Sequence, residues 1–230
     1  VNNFKNQGNY SKGPKFWFDD IALSGSMVRK VESNRFGPVL WAMYTLNKGT
    51  LKITAQMPPL GEKDNQKVIF QIKQDNNWKT LQENKIKPQA RIASFTITDW
   101  KSTQDIPYRL VYKEKYRKGS SKKHYYEGTI RKEPKNGKLE VGGMTCQYHY
   151  GFPYRPLVDN LKQKNPDLLY FSGDQIYEAN GGYGIIRRPA DQAILNYLGK
   201  WYMFGWAFGD LMRDRPTICI PDDHEVYQGD

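Results

Sequence analysis

The sequence has few of the features that hold together disulfide-rich or membrane-embedded proteins. Among 230 residues only Cys146 and Cys219 are cysteines, which excludes a disulfide framework. No apolar run approaches the roughly 20 residues that a bilayer-spanning helix needs, so no membrane span is predicted. The fold must therefore rest on buried cores, and a chain of this length is long enough for two modest domains.

The N-terminus also lacks the marks of a natural start. The chain begins at Val1 rather than at Met, and no charged segment followed by an apolar run and a small-residue cleavage site comes after it. We therefore expect that Val1 is not the residue at which translation begins.

Acidic residues are scarce in the first part of the chain, and this is where the net charge of +11 arises. Residues 1–137 contain 26 Lys and Arg against 12 Asp and Glu, whereas residues 138–230 contain 9 against 12. The densest basic stretch surrounds Gly119-Ser120-Ser121 and has the composition of a solvated hairpin tip. A contact with an anionic surface or a polyanion is the alternative interpretation, and no specific nucleic-acid partner is predicted.

Short alternating segments typical of β-strands follow one another from Thr50 to about Ile130. They read GTLKITAQM, KVIFQIKQ, ARIASFTITDW, PYRLVYKEK and HYYEGTIRK. Turn-forming clusters such as Pro58-Pro59-Leu60-Gly61 and Asp75-Asn76-Asn77 separate them. Several short strands without an amphipathic helix among them predict an antiparallel β-sandwich of immunoglobulin or fibronectin type, which we assign to residues 36–137.

Residues 1–35 contain one further strand-like segment, FWFDDIALSG, after a polar lead rich in Asn. A single strand is not stable alone in water, so this segment must pair with another. We assign residues 1–35 to a linker or to the last strand of a preceding β domain, and an edge strand of the sandwich is the other possibility.

The pattern changes in residues 138–230. Strand-like segments KLEVGGMTC, PDLLYFSGD and PTICIP alternate with the helical segments YRPLVDNLKQKN and ADQAILNYLGKWYMFGWAFGDLMRD. This order predicts right-handed crossovers in a parallel sheet. The continuous apolar run of PDLLYFSGD predicts a central strand covered on both faces. Gly199, Gly205 and Gly209 predict either a break or a close contact in the second helix.

Polar side chains follow each of the three predicted parallel strands. They are Cys146 and Gln147 after the first strand, Asp174, Gln175, Tyr177 and Glu178 after the second, and Asp222, Asp223, His224 and Glu225 after the third. Ligands of open α/β sheets bind at the carboxyl ends of the strands, so we expect these groups to meet if the strands are neighbours. Three structural alternatives remain open: Asp174 as a helix N-cap, Tyr177 as a buried phenol and Cys146 as a small buried apolar residue.

The donor types in this set fit metal-dependent hydrolysis. Thiolate, phenolate and carboxylate donors suit iron in a higher oxidation state, whereas carboxylate-rich positions suit calcium, magnesium or manganese. A metal pair polarises a phosphoryl oxygen and generates a hydroxide nucleophile. His224 would then protonate the leaving alkoxide or bind a phosphate oxygen. A strand that ends in Asp-Asp-His-Glu also resembles the Mg²⁺-binding strand of helicase-type nucleotidases, but the phosphate loop which that function requires is missing from this sequence.

Three segments in this order, MTCQ, PDLLYFSGDQIYE and PTICIPDDHEVYQGD, resemble the alkaline phosphatase D family of PhoD-like metallophosphatases. The β part is similar to the N-terminal domain of that family in FGPVLWAMYTLNKGTLKITAQMPPL, DIPYRLVY and YYEGTIRKEP. The resemblance covers residues 36–230. It implies an α+β protein of two domains, in which the β-sandwich precedes the first part of an α/β metallophosphoesterase domain at residues 138–230.

The resemblance implies a role for five of the candidate residues. Asp174 corresponds to a bridging metal ligand, Tyr177 to a second ligand, and Cys146 to a cysteine that binds ferric iron in some members. Asp223 corresponds to a ligand of the second metal. His224 corresponds to the histidine that assists phosphate binding or protonates the leaving group.

The expected cofactors are iron together with calcium, and zinc, manganese or magnesium are the alternatives. Asp222, Glu178 and Glu225 are expected beside the ligands rather than on a metal. The implied activity is that of a metal-dependent phosphoric ester hydrolase, either a phosphatase or a phosphodiesterase, with a phosphoester as substrate. The implied location is secreted, periplasmic or at the cell surface.

The family's catalytic domain continues beyond its Asp-Asp-His-Glu motif. We therefore expect this chain to be a fragment that is inactive alone, with an open sheet edge and an exposed apolar face. The alternative from a different functional class is a non-catalytic β-sandwich module for binding or anchoring, with a degenerate phosphatase-like half.

Overall fold

The computed structural model describes residues 21–31, 35–101, 103–116, 119–134, 137–179 and 184–226. Residues 36–230 form one compact unit, and residues 1–35 are assigned to a separate one. The predicted strand FWFDDIALSG occupies residues 16–25, and its first five residues lie outside the described part of the chain. Residues 21–25 form no strand, and the side chains of Ile21 and Leu23 are exposed.

The described residues between 41 and 130 contain seven antiparallel strands. These are β1 (Trp41–Asn47), β2 (Thr50–Gln56), β3 (Lys67–Gln74), β4 (Asn77–Lys85), β5 (Ile92–Ile97), β6 (Ile106–Lys115) and β7 (Ser121–Ile130). They form a three-stranded sheet in the order β1-β2-β5 and a four-stranded sheet in the order β4-β3-β6-β7. The alternating segments of the sequence predict five of these strands, and β1 and β4 are additional.

Two of the strand connections are two-residue turns. Lys48 and Gly49 join β1 to β2, and Asp75 and Asn76 join β3 to β4; all four residues have positive φ, between 46° and 72°. Hairpins of this kind require left-handed backbone, which Gly, Asn and Asp adopt at the least energetic cost. The turn residues therefore fix both hairpins.

The two antiparallel sheets share one core. Tyr44, Ile53 and Phe95 contribute to it from the first sheet, and Phe70 and Leu110 from the second, and each of the five is at most 1% exposed. The ring centroids of Phe70 and Phe95 lie 5.6 Å apart across the two sheets. Burial of this apolar surface holds the sheets together. With the helices described next, the chain is a mixed α/β protein, rich in strands, with mainly antiparallel sheets.

A parallel sheet follows in the same compact unit. It contains β8 (Val141–Met144), β9 (Leu168–Ser172) and β10 (Thr217–Ile220), with β9 in the centre. Helix α1 (Arg155–Lys164) connects β8 to β9, and helix α2 (Ala190–Met212) connects β9 to β10. The order of strands and helices is the one that the sequence predicts.

The expectation that β9 is covered on both faces is met fully on one face and only in part on the other. Leu169 and Phe171 are fully buried beneath α1 and α2. On the opposite face, Leu168 and Tyr170 of β9 are half-buried, and Ile218 and Ile220 of the neighbouring strand β10 are 39% and 41% exposed. The reason is topological, because right-handed crossovers between strands that follow one another in order place both helices on the same face.

Helix α2 runs through Gly199, Gly205 and Gly209 without a break. Of the two outcomes that these glycines predict, the close contact is the one observed. A Cβ atom at Gly205 would lie 2.2 Å from a ring carbon of Trp41 in β1. Glycine at this position therefore lets the helix approach the antiparallel sheet more closely than any other residue would.

Hydrogen bonds join the segment after α2 to the four-stranded sheet. The Tyr108 hydroxyl donates to the carbonyl oxygen of Arg213 at 3.0 Å, and the backbone N–H of Thr129 donates to a carboxylate oxygen of Asp214 at 2.8 Å. These contacts fix α2, and with it β10, on the antiparallel sheets. Of the helices in the described residues, none has the length and apolar character that crossing a bilayer requires.

Candidate metal centre

The loops that follow β8, β9 and β10 meet at one end of the parallel sheet. The backbone N–H of Gln147 donates to the carbonyl oxygen of Asp174 at 2.8 Å, which joins the first loop to the second. The side-chain amide of Gln175 donates to the carbonyl oxygen of Ile220 at 3.1 Å, which joins the second loop to the third strand. The three loops are therefore neighbours, as the predicted strand order requires.

The turn after β9 depends on Gly173. Its φ is +105°, and a Cβ atom there would lie 2.6 Å from the Cβ atom of Asp222. A side chain would be strained by the backbone conformation and would also collide with the third loop. The next residue, Asp174, has a φ of 53°, which Asp tolerates better than most residues. This turn directs the Asp174 carboxylate toward the other loops.

The Asp174 carboxylate is buried and only partly satisfied. Its Oδ2 atom accepts a hydrogen bond from the Tyr177 hydroxyl at 3.1 Å and from the Cys146 thiol at 3.5 Å. Its Oδ1 atom is buried and has no hydrogen-bond partner. A buried carboxylate oxygen without a donor is unfavourable, and native proteins seldom contain one. A cation at this position would remove the penalty.

Asp174, Asp223 and His224 form a group that could hold such a cation. One ligand atom from each of the three residues lies within 4.8 Å of the others. Asp174 is buried, His224 is half-buried and Asp223 is exposed, so the group opens toward solvent on the side of Asp223. Two carboxylates and an imidazole are donors for several divalent metals.

Glu178 and His224 form a pair beside this group. Nδ1 of His224 lies 2.6 Å from Oε2 of Glu178. Burial opposes the charge on both side chains, but their hydrogen bond and mutual attraction are stronger; the pKa of His224 is raised and the pKa of Glu178 is lowered. Because Nδ1 is used by Glu178, Nε2 is the ring nitrogen left for a ligand or for proton transfer.

Glu225 has a structural role in the same place. Its buried carboxylate accepts hydrogen bonds from the backbone N–H groups of Asp174 (2.9 Å), Ile176 (3.0 Å) and Asp222 (2.8 Å). These bonds tie the turn after β9 to the loop after β10. Glu225 therefore positions candidate ligands without facing a metal itself, and Asp222 contributes a backbone donor and a close contact with Gly173.

The Tyr177 hydroxyl and the Cys146 thiol differ in their surroundings. Burial, followed by hydrogen bonds with Cys146 and Asp174, raises the pKa of the Tyr177 hydroxyl well above its ordinary value. Coordination as a phenolate would therefore have to displace a firmly held proton. Cys146 has a φ of 55° and is exposed, so its thiol is accessible at the end of the first strand.

The structure adds aromatic and basic residues that sequence reasoning did not assign to the site. The centroid of the Tyr177 ring lies 4.6 Å from the centroid of the Tyr148 ring and 4.2 Å from the centroid of the His224 ring. Lys200, buried on α2, is attracted electrostatically to Glu178. Tyr148 follows Cys146 by two residues, so its nearness to a strand end was a usable signal. No sequence signal points to Lys200, because it lies within a helix and its position there does not show which loop the helix approaches.

No protein-family model matches this chain, and a search of curated proteins finds no match.

Proposed function

We propose that this chain carries one side of a dinuclear metal site in a phosphoric ester hydrolase, a phosphatase or phosphodiesterase similar to alkaline phosphatase D. The convergence of Asp174, Asp223 and His224 within 4.8 Å carries the proposal. The orphaned Oδ1 atom of Asp174 supports it independently, because a cation satisfies that atom.

Asp174 belongs to two sets of donors at once. Cys146 and Tyr177 approach its Oδ2 atom, and these thiol and phenol groups are typical donors for ferric iron. On the other side, Asp223 supplies a carboxylate oxygen that suits a harder divalent ion such as calcium, and His224 lies beside it. A carboxylate shared in this way is in the position of a bridging ligand, which favours a pair of metals over one.

The roles of the protein groups follow from this arrangement. Bound metal would polarise a phosphoryl oxygen and activate water as a nucleophile. Glu178 orients His224 through Nδ1 and favours its protonated form, so Nε2 can donate a proton to the leaving oxygen of the ester. Glu225 and Gly173 hold the loops in place. A shared core between the two antiparallel sheets, followed by a parallel sheet, is also the order of domains in that family.

Metal binding is the first test, because it can be measured whether or not this chain turns over a substrate. We expect protein purified without chelators to contain metal, and titration with ferric iron to produce the visible charge-transfer absorption of thiolate and phenolate ligands. Asp174→Asn should weaken binding by at least about 10–100-fold, which is the loss typical of changes to groups that only orient a ligand. Tyr177→Phe should remove the phenolate part of the absorption and leave binding measurable. Asp159→Asn, at an exposed position on α1, is the matched control.

Absence of metal together with no response to iron, calcium, zinc, manganese or magnesium would contradict the proposal. If the metal-loaded protein turns over either substrate, its relative rates with p-nitrophenyl phosphate and bis-p-nitrophenyl phosphate separate a monoesterase from a diesterase. His224→Asn should lower hydrolysis more than it lowers metal binding if His224 donates a proton, whereas equal losses would indicate that His224 is a ligand.

A further inference from the structure

The outward face of the four-stranded sheet carries a row of lysines that the metal site does not use. This lysine row consists, in spatial order, of Lys85, Lys67, Lys113 and Lys123. Lys67 pairs with Lys85 across β3 and β4, and Lys113 pairs with Lys123 across β6 and β7. Val68 pairs with Tyr112, so the adjacent residues Lys67 and Lys113 are neighbours as well. Each of the four strands contributes one lysine, so the row extends across the whole sheet.

The lysine row is exposed and is poorly neutralised. Side chains alternate between the two faces of a strand, and the inward neighbours Val68 and Tyr112 are buried in the core. Lys67 forms an ion pair with Glu83 at 2.6 Å. Within the described part of the chain, no ion pair to the other three lysines is observed. Since neighbouring strands are about 4.8 Å apart, positive charges follow one another at short and regular intervals.

A fixed aromatic group lies next to the lysine row on the same face. The Arg109 guanidinium lies 4.3 Å from the centre of the Trp78 ring and 4.5 Å from the centre of the Tyr125 ring. Its Nε atom donates to the side-chain oxygen of Gln71 at 2.7 Å, which fixes the group further. Tyr125 is still 50% exposed, and it follows Lys123 by two residues on β7. A half-exposed ring held by a cation–π contact is thus available beside the charges.

We propose that this face binds single-stranded nucleic acid. A line of lysines provides contacts for successive phosphates, and an exposed ring beside it provides a platform on which a base can stack; these are the two components of single-strand recognition. A polyanion without bases would use the lysines alone and would leave the ordered Trp78, Arg109 and Tyr125 group without a function. The inference goes beyond the proposed function and does not rest on the metal site.

The sequence placed the basic residues near Gly119 in a solvated hairpin tip. In the structure Lys113 and Lys123 lie within β6 and β7, and the pairing of these strands aligns them with lysines from a different hairpin. The predicted hairpin at Gly119 is present, because β6 and β7 pair in an antiparallel manner on either side of it. The register of the sheet adds support for the polyanion contact that the sequence left open.

Fluorescence anisotropy with a labelled oligothymidylate tests the charge component. We expect binding that weakens with salt, with a log–log slope of about 0.7 for each phosphate contact. The double variant Lys113→Gln and Lys123→Gln should reduce that slope by about 1.4 and the affinity at low salt on the order of tenfold. The control is the double variant Lys138→Gln and Lys164→Gln, which removes the same charge from exposed positions elsewhere. It should change the salt slope and the affinity much less. No binding at low salt, or equal losses in the two double variants, would overturn the proposal.

Tyr125 tests the stacking component. Tyr125→Leu should weaken oligothymidylate binding by between about fivefold and a hundredfold, as expected for loss of one stacked base, and Tyr125→Phe should retain it. Binding of heparin and of vesicles rich in phosphatidylglycerol should be weaker than binding of the oligonucleotide and unaffected by Tyr125→Leu. If heparin or the vesicles bind as tightly, and Tyr125→Leu has no effect on any of the three, the face is a general polyanion or membrane contact and the inference is wrong. Circular dichroism checks that each variant is folded.

Discussion

At Asp174, the Cys146 thiol and the Tyr177 hydroxyl donate to one carboxylate oxygen, and candidate ligand atoms of Asp223 and His224 lie within 4.8 Å of the same carboxylate. The sequence brings this about locally, because Gly173 permits the turn after β9 and Asp174 itself tolerates a positive φ. Glu225 completes the arrangement from a distant part of the chain by accepting three backbone N–H groups. The site is therefore held by contacts to the backbone that use none of the candidate ligand atoms.

Glu225→Gln should destabilise the protein by about 3 kcal/mol and weaken metal binding. The amide places an NH₂ group where a carboxylate oxygen accepts a backbone N–H, and hydrogen bonds to a charged acceptor contribute about 1.5–3 kcal/mol each. Urea denaturation measures the change in the free energy of unfolding, and Glu140→Gln, at an exposed position, is the control. A loss no greater than that of the control would contradict the structural role of Glu225.

Lys200 should make the stability of the protein rise with pH relative to a Lys200→Met variant. Burial lowers the pKa of its ammonium group to about 8, although Glu178 attracts the charge. In the unfolded chain the pKa is about 10.4. Between about pH 8 and about pH 10.4 the unfolded state thus binds more protons than the folded state, and the free energy of unfolding increases with pH. Urea denaturation of both proteins across this range measures the difference, and a constant difference would count against this account.

At the scale of elements, α2 determines how the parallel sheet is attached. It packs on β1 through Gly205, and the segment that follows it is bound to β6 and β7 by hydrogen bonds. The same helix covers Leu169 and Phe171 of β9. Because α2 contacts both sheet systems, a change in its packing should affect the positions of the loops after β9 and β10.

Two glycine substitutions in α2 should have opposite effects. Gly205→Ala should destabilise the protein by about 2 kcal/mol or more, because the new methyl group would overlap the Trp41 ring. Gly199→Ala should stabilise it by about 0.5–1 kcal/mol, because no atom lies within 4 Å of the new Cβ and alanine favours the helix. Chemical denaturation of the two variants measures both changes. Effects of the same sign and size would show that helix propensity, rather than the contact with Trp41, decides the outcome.

At the scale of the whole molecule, two apolar cores are joined into one compact unit over residues 36–230. Trp41 belongs to a strand of the antiparallel sheets but is buried in the core of the parallel sheet. Tyr126 packs against both cores. Because the two cores share these large aromatic side chains, separating them would expose apolar surface of both.

The two cores should therefore unfold together. We expect a single transition in urea, with the same midpoint by far-ultraviolet circular dichroism and by tryptophan fluorescence. Trp78 reports on the antiparallel sheets, and Trp201 and Trp206 lie on α2. Two transitions with different midpoints would show that the sheets are independent domains with a weak interface.

Much of the fold follows from local patterns. Alternation predicts five antiparallel strands, and Asp75 and Asn76 mark a turn that the structure contains. The sequence does not predict β4, because most of its side chains are polar or exposed and it therefore lacks apolar alternation. β1 lies before Thr50, where the regular alternation begins. The coverage of β9 differs from the prediction because an apolar sequence does not specify on which face the helices cross.

The sequence by itself determined which groups stand at the ends of the three parallel strands, since the order of strands, helices and polar residues is a property of the chain. It also determined the glycines that permit the turn at Asp174 and the close approach at Trp41. Only the tertiary structure decided that Oδ1 of Asp174 is left without a donor, that Glu225 braces two loops, and that four lysines align across one sheet. These features depend on the register and distance between segments far apart in the chain, and local interactions carry no information about either.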